Sequence, residues 1–278
     1  MKIQDSPSDM DDLTRAVRLL EAPSITAKLA NLVGSPIERL VNKLPGSVMG
    51  KLDRGVRAAL QKAVEAALWS MDNAPHKKSS TRLHKMAAAA SGAVGGAFGF
   101  TSLLIELPVS TTIMMRAVAD IARDEGFDLK DIATQQACVE VFALGGKSAQ
   151  DDASETGYYV ARSFTTEAMR GLSKELAGAA ARRTPGLAMS LTPQQASAWL
   201  AAVIDKVAGR FGVIITDKLA AQAVPVIGAI SGAAINTLFT AHFQAMARGH
   251  FIIRRLENKY GAEQVEGAYR ALLTVGGR

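Results

Sequence analysis

Apolar residues recur at helical rather than strand spacing along almost the whole chain. Met10, Leu13, Val17 and Leu20 fall at i, i+3, i+7 and i+10 behind Ser8 and Asp11, a short-acid variant of a capping box, and predict an amphipathic first helix. Ser24, after Pro23, predicts the N-cap of a second helix that carries Leu29, Leu32 and Val33 and, past a kink at Pro36, Leu40 and Val41. Pro45-Gly46 breaks the pattern. A third helix then sets Leu52, Val56, Leu60, Ala63, Ala67 and Leu68 on one stripe as far as Trp69, with Asp53, Arg54, Arg57 and Glu65 left to solvent. Further on, Thr192 and Pro193 form an N-cap and N1 pair for a helix presenting Trp199, Val203, Val207 and Phe211. The β-branched run Val213–Thr216 has no alternating segment nearby to pair with it as a sheet. The prediction is an all-α fold, a compact bundle of about eight to ten helices.

The polar stretch Asp72–Thr81 contains Pro75 and lacks periodicity, which reads as a linker. It divides the chain into an N-terminal helical segment, 1–75, and a main helical domain, 76–278. Helix ends or kinks are expected at Glu106-Leu107-Pro108, Gly126, Gly145-Gly146, the run 182–193, Pro225 and Gly261.

Two segments carry almost no charge. Met86–Ile105 has none, and Leu219–Ala247 has His242 as its one ionisable group. Each is long enough to span a bilayer, but both are Ala- and Gly-rich rather than strongly apolar, and the second adds Gln222, Pro225, Asn236 and Gln244. Burial against protein, or a shallow dip into one leaflet, therefore suits them better than a lipid-facing span. Their small residues recur at close-packing intervals: Ala88, Gly92 and Gly96, then Gly95 and Gly99, then Gly228 and Gly232. These glycines are expected to pack the two segments as a central helix pair.

Charge changes the picture at the flanks of that pair. Lys77, Lys78, Arg82 and Lys85 precede the first segment, and Arg248, Arg254, Arg255 and Lys259 follow the second. Basic side chains beside an apolar run can bind anionic lipid, so the first group is the candidate lipid-binding set. The chain's net charge of +6 also favours anionic partners. Nucleic acid is not expected, because the basic residues are not interleaved with aromatics and no helix-turn-helix or zinc pattern occurs. A single cysteine, Cys138, gives no intramolecular disulfide, and no basic-then-apolar leader opens the sequence; a cytoplasmic location is expected.

Glu106 is the candidate for chemistry, since it closes the first uncharged segment and precedes Leu107-Pro108. Burial there would raise its pKa unless Arg116, Lys218 or His242 pairs with it. The structural alternative is a capping carboxylate for a helix starting near Pro108. His76, His84, His242 and His250 lack metal-ligand spacing, so no metal is expected, and no GxSxG elbow, Walker loop or dinucleotide fingerprint calls for a cofactor. Cys138 lies among Val139, Val141 and Phe142 as a buried small hydrophobe, and Asp151, Asp152 and Glu155 read as first-turn acids of a helix.

SGAVGGAFGF followed by Glu106, then IARDEGFDL, LGG at 144–146, KLAAQAVPVIGAISGAAINTLF and ARGHFIIRRLENKYG occur in an order that resembles the EcsC family of bacterial proteins. The resemblance covers roughly 85–260 and is most specific over 218–236; nothing before residue 75 contributes. Family members usually carry Asp where Glu106 stands, a change that keeps the carboxylate. The family is associated with no agreed catalytic mechanism. The resemblance implies a helical, membrane-associated protein, with transporter or secretion linkage as context. The expected function is therefore non-catalytic: peripheral or partly inserted association with the cytoplasmic membrane face, binding anionic lipid or a membrane protein. The alternatives are a membrane-associated lipid or peptide hydrolase using Glu106, and a soluble protein-interaction module.

Overall fold

The computed structural model describes residues 2–44, 46–71, 75–96, 100–144, 157–163, 193–222 and 228–276. Among them there is no strand. The helices are α1 (Pro7–Leu20), α2 (Ile25–Val33), α3 (Ile37–Val41), α4 (Gly46–Ser70), α5 (Thr81–Gly96), α6 (Phe100–Asp124), α7 (Ile132–Glu140), α8 (157–163), α9 (Pro193–Gln222), α10 (Gly228–Tyr260) and α11 (Ala262–Gly276), with 3₁₀ turns at Ile3–Asp5 and Val141–Ala143.

Local chemistry sets most of these boundaries. α1 begins three residues ahead of Met10 because Pro7, whose fixed φ and missing N–H suit the first helical position, follows Ser6 as N-cap. Leu13, Val17 and Leu20 are buried as their spacing predicts. Ser24 caps α2 by accepting a 3.3 Å hydrogen bond from the Ala27 N–H, as expected. Pro36 separates α2 from α3 instead of kinking one helix, since the first has already ended at Gly34. Asp131 caps α7 through the Ala133 N–H.

Pro108 overturns the expected start of a helix. α6 begins at Phe100 and carries Pro108 inside it, so Glu106 is a mid-helix residue and the capping alternative does not hold. Proline leaves the carbonyl four residues back without its helical donor. Side-chain bonds tighten the following turn, from the Ser110 hydroxyl to the Leu107 carbonyl and from the Thr112 hydroxyl to the Pro108 carbonyl.

α10 is the axis of the bundle: 33 residues, about 50 Å at 1.5 Å per residue. It packs along α5, α1, α6 and α11, while α4 lies against α6 and α9. The hydrophobic core is continuous across residue 75, joining Leu13, Leu29, Val56 and Leu60 to Val118, Phe211, Phe243 and Ile253. At its centre Phe142, from the 3₁₀ turn, stacks on Phe243 at 4.9 Å and meets the edge of Phe211 at 5.0 Å, tying α9 to α10. Gly249 admits α1 to the axis; a Cβ there would lie 2.5 Å from Leu20 Cγ. No helix among the described residues is long and apolar enough to cross a membrane.

Candidate functional site

Three long helices bring one polar cluster into the core. Glu106 of α6, Lys218 of α9 and Asn236 of α10 are all buried, and Lys218 is fully so. Lys218 Nζ donates to Glu106 Oε1 at 3.1 Å and to Ser110 Oγ at 3.4 Å, and Asn236 Nδ2 donates to the same Glu106 oxygen at 2.6 Å. The ammonium also lies 5.7 Å from the centre of the Phe239 ring. Burial lowers the lysine's pKa, and the Glu106 carboxylate opposes that shift. Of the three expected partners for Glu106, Lys218 is therefore the one engaged. Arg116 donates to the Ala66 carbonyl at 3.4 Å. His242 is buried beside Phe243, where burial first and then the Lys28 charge push its pKa down to about 3.

Removing an oppositely charged pair from water is costly, and the attraction between the partners offsets that cost only when both are present. The cluster thus ties α6, α9 and α10 in one register. It also has acceptors to spare: Glu106 Oε2 and Asn236 Oδ1 have no hydrogen-bond partner among the described residues.

The sequence-predicted packing and lipid-binding residues fall as follows. α5 lies along α10, the two Ala- and Gly-rich helices side by side. Gly92, Gly95 and Gly96 occupy the last turns of α5 and Gly228 the first turn of α10, while Gly232 is buried. Gly99 lies outside the described residues, as do Asp151, Asp152 and Glu155. At the opposite end of α5, Lys77, Lys78 and Arg82 are exposed and Lys85 is half-buried. Between them stand Leu83 and Met86, 64% and 69% exposed. None of Lys78, Arg82 and Lys85 has a carboxylate partner among the described residues.

The second basic flank is placed differently. Arg248 pairs with Asp124 and Glu125 at 2.7 Å each, and Arg255 with Asp12 at 2.7 Å and Glu125 at 3.1 Å. Lys259 meets Asp9 at 2.7 Å, and Arg254 lies 3.5 Å from Glu140. These cations clamp α10 to α1, α6 and α7. The segment before α5 joins the same network: the Ser80 N–H and the Arg123 guanidinium both donate to Asp120, His84 lies 3.4 Å from it, and the Ser79 hydroxyl donates to Asp124 at 3.1 Å.

One further buried constellation has no counterpart in the sequence motifs. The Tyr158 hydroxyl lies 3.0 Å from His250 Nδ1, and Arg162 donates to that hydroxyl at 3.5 Å and to both carboxylate oxygens of Glu257 at 2.6 Å. On the other side of the imidazole, Nε2 lies 3.7 Å from Glu140 Oε2. Burial, with Arg254 and Arg162 nearby, holds His250 well below its ordinary pKa, and burial raises Glu140 and Tyr158. The Tyr158–His250 hydrogen bond thus ties α8 to α10, with Glu140 of α7 close to the other side of the imidazole. Cys138 is buried nearby, its thiol pushed up to about 12 by desolvation, consistent with a packing residue. Among the described residues, no group of three or more His, Cys, Asp or Glu is disposed to hold a metal ion.

The model of the EcsC protein family matches residues 2–256, and the chain belongs to that family. The match includes α1 to α4, beyond the 85–260 over which the sequence motifs are legible. Neither the curated proteins nor the solved structures contain a match to the chain.

Proposed function

We propose that this EcsC-family chain is a non-catalytic, peripheral protein of the cytoplasmic membrane face that binds anionic lipid through the N-terminal face of α5. The observation that carries the reading is the pair Leu83 and Met86, the two most exposed large apolar side chains described, set among Lys77, Lys78, Arg82 and Lys85. Exposed Ala87 and Ala90 continue the same helix face. Apolar side chains in water beside cations match a lipid interface, where the first enter the head-group boundary and the second meet anionic head groups. Each basic residue near a charged surface contributes about 1 kcal/mol, so Lys78, Arg82 and Lys85 give about 3 kcal/mol, enough for reversible, salt-sensitive binding. Glu106 stays outside this reading, because its carboxylate is buried behind Lys218 and serves helix register.

Flotation of the purified, detergent-free chain with phosphatidylcholine vesicles, with and without phosphatidylglycerol, tests the proposal. Binding should require phosphatidylglycerol, fall between low and physiological salt, and be lost when Lys78, Arg82 and Lys85 are changed to Glu. Leu83→Ser with Met86→Ser should weaken it without altering its salt dependence. Binding that survives high-salt washing would replace docking by insertion of the small-residue segments, and absence of flotation under all conditions would overturn the proposal.

A further inference from the structure

α2 and α10 enclose an open groove of about 800 Å³, within the size range of small-molecule sites. Leu32, Lys28 and Asn31 of α2 line one wall, and Ala233, Ala234 and Leu238 of α10 the other. Short alanine side chains leave the trough open, and Leu32 stays 43% exposed over it. The α10 wall adds one hydroxyl, Thr237, whose proton is spent on the Ala233 carbonyl at 2.8 Å, so the side-chain donors left to the groove stand at one place. Lys28 and Asn31, three residues apart, share one face of α2 and put an ammonium and an amide side by side.

Lys28 has no carboxylate partner among the described residues. His242, which feels the Lys28 charge, is neutral and supplies none. Partial burial already costs this ammonium solvation and lowers its pKa. An apolar trough with one partly desolvated, unopposed cation and one neutral hydrogen-bonding group complements a hydrocarbon chain that ends in a single negative charge.

We infer that the α2–α10 groove binds a fatty-acid anion, its carboxylate on Lys28 and Asn31 and its chain over Leu32, Ala233, Ala234 and Leu238. One cation fits a monoanion; a phosphate monoester would bring a second negative charge with no partner there. The site lies apart from the basic face of α5 and stands whether or not that face docks on lipid.

The test uses the full chain without vesicles, with 11-(dansylamino)undecanoic acid as a fluorescent probe below its micellar concentration. Oleate should displace it about tenfold better than methyl oleate, the ratio expected of a charge-assisted contact. Lys28→Met should weaken oleate about tenfold and leave methyl oleate unchanged, and Ala234→Leu, which fills the trough, should weaken both. Labelled amides of Ala233 and Ala234 and the His242 ring should shift when oleate is added to the unaltered chain. Absence of saturable probe binding, equal affinity for acid and ester, or oleate shifts confined to other helices would overturn the assignment. Because no membrane is present, these outcomes do not depend on flotation, and the Ala233 and Ala234 shifts keep the result independent of how the variants fold.

Discussion

Replacing Lys218 by Met tests whether the buried pair is what ties α6, α9 and α10 together. Methionine keeps most of the volume and removes the charge, so Glu106 retains the 2.6 Å bond from Asn236 but loses its counterion where its side chain is only 4% exposed. Breaking one half of a buried pair costs about 3–5 kcal/mol. In a chain of this size that lowers the Tm by roughly 6–10 °C, at about 2 °C per kcal/mol. The reciprocal change, Glu106→Gln, removes the counterion of a fully buried ammonium and should cost a similar amount. The sign of its pH dependence follows. Lys218 has a lowered pKa in the folded chain and its ordinary value of 10.5 when unfolded, so the unfolded state holds the extra proton and stability rises with pH toward 10.5. Without Glu106 the folded pKa drops further and that window widens; the deficit of Glu106→Gln relative to the unaltered chain should shrink from pH 7 to pH 9.5. The double variant should recover at least 2 kcal/mol of the sum of the singles, read from urea unfolding. A loss below about 1 kcal/mol for Lys218→Met, or strict additivity in the double variant, would refute the reasoning.

Two other measurements follow from the same packing. Gly249→Ala sets a methyl against Leu20 Cγ where α1 crosses α10 and should cost about 1–3 kcal/mol in chemical denaturation, recovered in part by Leu20→Val. His242, with a folded pKa of about 3 against 6.5 when unfolded, should show no NMR titration from pH 8 to 5. Because the unfolded chain takes up the proton first, this residue removes about 1.4 kcal/mol of stability per pH unit as pH falls from 6.5 toward 3, a slope that His242→Phe should abolish.

The helices were legible because their signals are local. Ser24 and Gly261 act within a turn of where they stand, and the stripe Leu52, Val56, Leu60 needs no knowledge of what covers it. Glu106 was legible as an isolated carboxylate in a charge-free run, and Lys218 as one of three possible counterions; choosing among them required the packing of α6 on α9 and α10. Pro108 misled because a proline is a stronger stop in an isolated helix than in one held on several sides by tertiary contacts. The Tyr158, His250, Glu140 and Arg162 constellation was missed for the opposite reason. Its partners come from distant parts of the chain and follow no motif spacing, so the one signal in the sequence was the single acid Glu140 inside the apolar run Cys138–Leu144.

Charge at the two flanks had looked equivalent, four cations before the first uncharged segment and four after the second, and the fold separates them. The arginines of α10 neutralise Asp124 and Glu125 at the end of α6, and Asp120 is taken up by Arg123, His84 and the Ser80 N–H. These are carboxylates near enough to the start of α5 that its own N-terminal residues bond to two of them. With those acids already paired, Lys78, Arg82 and Lys85 have no carboxylate partner among the described residues and stand beside Leu83 and Met86. The partly buried ion pairs of α10 thus support the proposed docking face without being part of it.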